Sequence, residues 1–294
     1  MTETIPVLKY YDMGMGVTAF SSTRSGGCSL GNYASFNINR YCGDDEEHIR
    51  QNREALCRLL NITDDRLIMP HQTHETRVAC IDETFMALTA EERQAALEGT
   101  DALMTNLRGV CIGVSTADCI PVLLHDPQQE AVCAIHAGWR GTVARIVEKA
   151  VAAMTTAYGS RPEDIIAQIG PGISLDSFEV GQEVYDKFQA SGFEMKSISK
   201  QYPTNDGGSK LPLLSRFALA IPSAFFTLHS SLFTFKWHID LPACNRQQLL
   251  SMGLKEDHIS DCGICTYQHC DTYFSARRLG IHSGRIFTGI LMVP

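Results

Sequence analysis

TADCIPVLLHDPQQEAVCAIHAGWRGT, residues 116–142, brings a thiol, an imidazole and the start of a helix into one short stretch. Residues 120–124 and 131–135 are rich in β-branched side chains and read as two strands, with Asp126 and Pro127 supplying the residue types that open a type I turn. With Asp126 first and Gln129 last in that turn, Cys119 falls opposite His136. Cross-strand Cβ atoms lie about 5 Å apart, so a thiolate and an imidazole there can share one metal ion or one proton. A change of one residue in the loop would undo this facing, and type I turns fit two-residue hairpins poorly.

Directly after His136, Val143, Ile146, Val147, Ala150, Val151 and Met154 recur at helical spacing, closed by Gly159 and Pro162. The second strand is therefore expected to run straight into a helix. Thr142 is the expected N-cap, Gly138 and Gly141 let the backbone approach a ligand, and the free N–H groups of the first turn favour a phosphate or carboxylate. The plainer reading is a tight strand-to-helix turn over a buried Trp139.

Working outward, residues 16–22 read as a strand and residues 46–60 as an amphipathic helix through Ile49, Leu56, Leu59 and Leu60. Arg24, Gly26 and Gly27 between them have the composition of an anion-binding loop, although a plain surface loop explains them as well. Strands are expected at 66–69 and 76–81, separated by Pro70–Glu75, PHQTHE. Its HxxH would align both imidazoles only in a helix; Pro70 and the β-branched neighbours favour a loop, from which one of His71 and His74 can enter a given site. Residues 89–97 form a short helix with a Thr89/Glu92 capping box, and 103–105, 110–115 and 165–169 form further strands. Residues 196–210 read as a polar loop, 245–252 as a helix, and 262–293 as two strands around a glycine turn. Alternating strands and helices, with hairpins as well as crossovers, predict an α+β fold: mixed sheets packed with helices in a layered sandwich, one large domain of 294 residues.

The composition, 44% apolar and 20% charged with a net charge of −8, is that of a soluble globular protein. It contains no basic run, which argues against nucleic acid as a partner. Residues 1–14 have neither a basic nor an apolar signal region, so a cytoplasmic protein is expected. Eleven cysteines, an odd number scattered through a large chain, read as buried small hydrophobes rather than a disulfide framework. Residues 217–235 lack charge but include Pro222 and His229, which fits a buried helix or strand pair and no membrane span. Nothing in the sequence specifies an oligomeric state.

QTH at 72–74, DALMT at 101–105, TADCIPVLL at 116–124, HAGWRGT at 136–142, IGPGI and FEVG within 169–181, CT at 265–266, and FSARR with GR within 274–285 follow one another in this order. SSTRSGG at 21–27 and SFN at 35–37 extend the series. Together they resemble the laccase-like polyphenol oxidase family, later described as zinc-dependent purine nucleoside enzymes. The resemblance spans nearly the whole chain and weakens between about residues 191 and 238, where this chain is longer than the family pattern. It implies zinc held by His74, Cys119 and His136, with a fourth position open for water or substrate. It further implies phosphorolysis of adenosine, inosine, guanosine and methylthioadenosine, and deamination of adenosine. Glu75 stands where the family pattern has Gly, which alters the loop or adds a carboxylate beside the metal.

The chemistry favours zinc over the copper of the older label, because multicopper sites use paired HxH ligands and none of the ten histidines forms one. A Cys/His/His set still binds copper tightly when copper is abundant. Phosphorolysis passes through an oxocarbenium-like ribose with a phosphate dianion attacking, which calls for cations; Arg24, Arg140, Arg277 and Arg278 are the candidates, with Asn37 and the Gly138 turn as further substrate contacts. Some of these arginines are expected to be tied instead to carboxylates such as Asp101 or Glu179. A different mechanism remains open from the same residues: a cysteine hydrolase with Cys119 as nucleophile, His136 as base and Asp118 or Asn37 orienting it.

Overall fold

The hairpin around Asp126 lies at the centre of a six-stranded sheet in the computed structural model, which describes residues 5–204 and 234–293. Its order is β13 (Ile259–Asp261), β9 (Ile166–Ile169), β7 (Ile120–Asp126), β8 (Ala131–Ala137), β5 (Ala102–Thr105) and β4 (Val78–Cys80). The outermost pairs, β13–β9 and β5–β4, run parallel and the inner ones antiparallel. A five-stranded sheet has the order β1 (Leu8–Tyr11), β2 (Val17–Ser22), β14 (Ile286–Met292), β6 (Cys111–Thr116) and β3 (Leu67–Ile68). A small third sheet joins β10 (Glu179–Val180), β12 (Thr234–Ile239) and β11 (Ser199–Thr204).

Strand alternation assigns the layers. On β8, Cys133, Ile135 and Ala137 pack with Ile146, Val147, Ala150, Val151 and Met154 of the helix Ile146–Tyr158, and with the helix Leu241–Ser251. The intervening Val132 and Ala134 face the five-stranded sheet and meet Ile112, Val114 and Ile290. The far face of that sheet buries Phe20, Cys111, Phe287 and Leu291 against Leu56 and Cys57 of the helix Glu46–Leu60. The layers are helix, sheet, sheet, helix, which is the mixed sandwich expected. Each fully buried aliphatic side chain contributes about 1.5–3 kcal/mol, and the inter-sheet layer is sealed by many of them. By the same alternation Asp101, His136 and Thr116 belong to the inter-sheet face at one end of their strands, and that is where the chemistry collects.

The hairpin register differs from expectation. Pro121, not Cys119, pairs with His136, because the connection takes four residues, 127–130, with Asp126 Oδ1 accepting from the N–H groups of Gln128 and Gln129 at 2.9 and 3.1 Å and Glu130 at φ 49°. A slip of two, unlike a slip of one, leaves both side chains on the same face. Cys119 sits one step beyond the strand, diagonal to His136.

Three other expectations need correction. The helix after His136 starts at Trp139 with Gly138 as its N-cap residue, so Thr142 lies inside it, its hydroxyl bonded to the Ala137 carbonyl at 3.5 Å. A second helix then begins at Ile146 after Arg145 turns left-handed at φ 64°. The C-terminal stretch supplies one strand, β14; residues 262–285 are turns and the short helix Ala276–Leu279, because TYQHCDTY and the SARR segment carry no two-residue alternation. The expected loop at 196–210 begins instead with β11, paired to β12 from Ser199 to Thr204; residues 205–210 of that expectation, and the charge-free run up to residue 233, lie outside the described residues. Among the described residues no helix is long and apolar enough to cross a membrane.

Candidate metal centre

Asp101 organises the site. It is fully buried where β5 begins, and its carboxylate accepts the Nδ1–H of His136 at 2.7 Å and the backbone N–H groups of Thr73, His74 and Glu75 at 3.3, 3.0 and 2.8 Å. Its own carbonyl accepts the His136 N–H at 2.8 Å. Three successive backbone donors around one carboxylate require a curled loop, and His74 meets that by standing at φ 67°, in the left-handed region. Burial alone would raise the pKa of Asp101, but the bonds to His136 and to the loop N–H groups outweigh it and hold the carboxyl below its ordinary value. One ionised carboxylate thus fixes the orientation of one imidazole and the position of another.

The ligand atoms of His74, Cys119 and His136 all lie within 4.8 Å of one another. The two imidazole rings stand edge to face, 4.8 Å between centroids. With Nδ1 of His136 held by Asp101, its Nε2 is the atom left for a metal. Burial opposes a thiolate at Cys119, yet the charge and hydrogen bonds of His136 and His74 overcome it and bring the thiol down to about 6. Burial likewise opposes an imidazolium at His136, yet the Cys119 thiolate and the Asp101 carboxylate carry it up to about 9. Gly138 fits this centre for a steric reason: a Cβ there would lie 3.0 Å from Cys119 Sγ and 3.0 Å from His74 Cδ2. One anionic sulfur and two nitrogens converging at this range fit a tetrahedral divalent metal with one position left open.

Of the two histidines of the HxxH, only His74 enters the centre. His71 is held by Glu98 at 2.8 Å and stacks on Tyr41 with 4.1 Å between ring centroids. Glu75 is exposed and stands outside the converging group, contributing its backbone N–H to Asp101.

The other expected site residues are placed elsewhere. Asp118 does not touch His136; at φ 89° its carboxylate accepts the Thr266 hydroxyl at 2.8 Å and the Arg277 N–H at 2.7 Å, fastening the C-terminal turns to the site. The group orienting His136 is Asp101, which the sequence marks only as part of the DALMT motif and as an arginine partner. Asn37 is fully buried and braces Asp44 and the Asn39 and Arg285 N–H groups at 2.8, 3.2 and 3.1 Å. Arg24 donates to the carbonyls of Ala34 and Cys270 at 3.0 and 2.5 Å and covers the Phe274 ring. Arg140 lies over Trp139 and Arg278 over Tyr267, at 4.4 and 4.5 Å from the ring centroids. Arg277 donates to the Glu179 carbonyl at 3.2 Å.

A cavity of about 450 Å³ lies between residues 64–69 and the helix Ala90–Ala96, but the one that contains His74, Cys119 and His136 is smaller, about 270 Å³. Its wall includes Asn39, Tyr41, Ser115, Thr116, Ile281 and Arg285. Sequence reasoning reached Arg285 only as part of a motif, and Thr116 only as the edge of one. The pairing of Thr116 with Ile286, the residue after Arg285, brings the two segments to the same end of the five-stranded sheet.

Residues 18–293 match the family described as multi-copper polyphenol oxidoreductase laccase. A purine nucleoside phosphorylase from Bacteroides thetaiotaomicron is 43% identical, over 94% of this chain and 92% of its own length. An adenosine deaminase, RL5, from an unknown prokaryotic organism is 42% identical over 94% of each chain. The crystal structure of Bacillus licheniformis hypothetical protein YfiH has the same fold, with a TM-score of 0.77 at 28% identity over 94% of this chain and 92% of that one. With its span, its fold and its enzyme relatives in agreement, this chain belongs to the multi-copper polyphenol oxidoreductase laccase family.

Proposed function

We propose that the protein is a zinc-dependent purine nucleoside enzyme, acting by phosphorolysis on adenosine, inosine, guanosine and methylthioadenosine and by deamination on adenosine. The observation that carries this reading is the convergence of His74, Cys119 and His136 within 4.8 Å beneath the Asp101 carboxylate. The activities named for the relatives supply the substrate class. A mixed nitrogen and sulfur donor set suits zinc, and a zinc held by His74, Cys119 and His136 would supply a Lewis acid to this cavity. Copper would also bind such a set tightly, but the described residues hold one converging group, against the several coppers of a blue oxidase. In this reading the protein works in the cytoplasm, whose reducing environment would keep its eleven cysteines as thiols.

The chain's own residues have definite tasks in this reading. Asp101 keeps the proton of His136 on Nδ1, Cys119 supplies the negative charge of the centre, and Gly138 leaves it room. In phosphorolysis a phosphate oxygen bonds to C1′ as the C1′–N9 bond breaks; the electron pair stays on the purine, which takes up a proton. In deamination water adds at C6, the amino group is protonated, and ammonia leaves.

The Asp101–His136–Cys119 series also has the order of orienter, base and nucleophile, which favours a cysteine hydrolase as the second reading. The position of His74 on the same thiolate favours the metal. The two separate when wild type and Cys119→Ala, each with and without chelation, are incubated with adenosine in the presence and absence of phosphate. Adenine formed only with phosphate, inosine formed without it, and loss of both on chelation support the zinc enzyme. Hydrolytic turnover that survives chelation and stops on alkylation of Cys119 supports the hydrolase.

A further inference from the structure

The cavity that contains the metal centre is walled by polar groups that mostly satisfy one another. Gln72 spans the Ser115 backbone, donating to its carbonyl at 2.8 Å and accepting its N–H at 2.7 Å, and Asn39 donates to the Ser115 hydroxyl at 2.5 Å. Apart from the converging His74, Cys119 and His136, the Glu98-bound His71 and the Tyr41 ring stacked on it, two groups stand outside this network. The Thr116 hydroxyl is buried with no partner, on a residue 1% exposed. Among the described residues, Arg285 is the only cationic side chain besides the histidines on that wall, no Asp or Glu lines it, and the guanidinium makes no ion pair.

The hydrogen bonds of Arg285 show which of its donors are spent. Nη1 donates to the carbonyls of Ser283 and Gly284 at 2.6 and 3.1 Å, and Nη2 donates to the carbonyl of Ile281 at 2.9 Å. A guanidinium has five N–H donors. The two remaining, Nε–H and one Nη2–H, have no partner among the described residues and can bind two oxygens of an oxyanion. Carbonyls fix the group without cancelling its charge. An un-neutralised, half-buried cation and an orphaned buried hydroxyl on one cavity wall both call for an anionic ligand with free oxygens.

We infer that Arg285 and Thr116 form the phosphate subsite of this cavity, Arg285 binding two phosphate oxygens through its free edge and Thr116 donating its hydroxyl to a third. The inference rests on the nucleoside phosphorylase reading for its choice of inorganic phosphate, and replaces Arg24, Arg140, Arg277 and Arg278 as the phosphate cations.

The test uses the metal-loaded full chain, wild type beside Arg285→Gln and Thr116→Val, with metal content measured for each. The KM for phosphate in adenosine phosphorolysis should rise about tenfold or more in R285Q and about threefold or more in T116V, while phosphate-independent deamination keeps its kcat and KM for adenosine. T116V removes a hydroxyl that bonds to nothing in the protein, so a structural role alone predicts unchanged kinetics and an unchanged or higher Tm. That variant also decides the matter if R285Q loosens the 281–284 loop and fails to fold. Equal loss of both activities in R285Q with unchanged T116V, or an unchanged phosphate KM in both, overturns the inference. If the wild type turns over no nucleoside, the activity reading fails; calorimetric titration of inorganic phosphate into the three proteins then still decides, affinity lost in both variants supporting the subsite and equal affinity in all three overturning it.

Discussion

At the scale of single residues, Asp101 does more than any of the three side chains that converge, because it fixes the ring of His136 and the backbone that carries His74. Asp101→Asn offers one oxygen where two accepted, and sets an amide N–H₂ against a loop of N–H donors or against His136. Metal affinity is expected to fall about 10–100-fold and stability by about 1–3 kcal/mol, measured by competition with a chromogenic chelator and by urea unfolding. Gly138→Ala should also weaken metal binding, since its Cβ would come within 3.0 Å of two ligand side chains; an unchanged affinity would remove the steric account of this glycine. The thiol carries a pH signature. In metal-stripped protein Cys119 is a thiolate above about 6 while its imidazolium partner persists to about 9. Its depressed pKa gives stability that is present above the ordinary thiol range and lost as pH falls through about 6; the raised pKa of His136 gives stability present at acid pH and lost as pH rises through about 9. Alkylation of Cys119, followed at the peptide level by mass spectrometry, should therefore rise with a midpoint near 6 and level off by neutral pH, whereas Cys57, pushed up to about 11, stays slow. Metal should protect Cys119, and a midpoint near the ordinary thiol value would contradict the pairing.

At the scale of elements, the hairpin shows what sequence conveys and what it hides. The strands β7 and β8, the helix after them, the Thr89/Glu92 capping box and the loop character of HxxH were legible because each rests on local pattern. The register was not, since it depends on a four-residue connection whose last residue, Glu130, takes φ 49° without being glycine. Asp101 was overlooked for a related reason: a carboxylate between two ordinary residues gives no local sign that three N–H groups from residues 73–75 will close on it. For the arginines, type and proximity to glycine say nothing about which carbonyl or ring a guanidinium will meet, as Arg24 and Arg140 illustrate. The connection itself can be tested. Glu130→Gly removes a left-handed non-glycine residue, offset in part by the added freedom of the unfolded chain, and is expected to change stability by no more than about 1 kcal/mol in either direction with metal content intact. A large loss in urea unfolding would mean that the loop depends on the Glu130 side chain, which lies beside Arg108 at 2.5 Å.

At the scale of the whole molecule, the centre joins three parts of the chain: the 73–75 loop, the start of β7 and the end of β8. All three sit at the end of the inter-sheet layer, so a metal bound there would tie the 73–75 loop to the β7–β8 hairpin through side chains the apolar core does not reach. Ligand binding to the folded state alone stabilises by about 4 kcal/mol when the metal is at a thousand times its Kd, so chelation should lower Tm by about 10 °C in differential scanning calorimetry. Adding zinc back should restore it, and an unchanged Tm would mean that the centre holds no metal in the folded protein. The central claim is tested most directly by elemental analysis of protein purified without added metal, beside Cys119→Ala and His74→Ala. The account expects close to one zinc per chain in the wild type and little in either variant. Metal-free wild type in which Cys119 alkylates freely, or zinc retained in full by both variants, would contradict it.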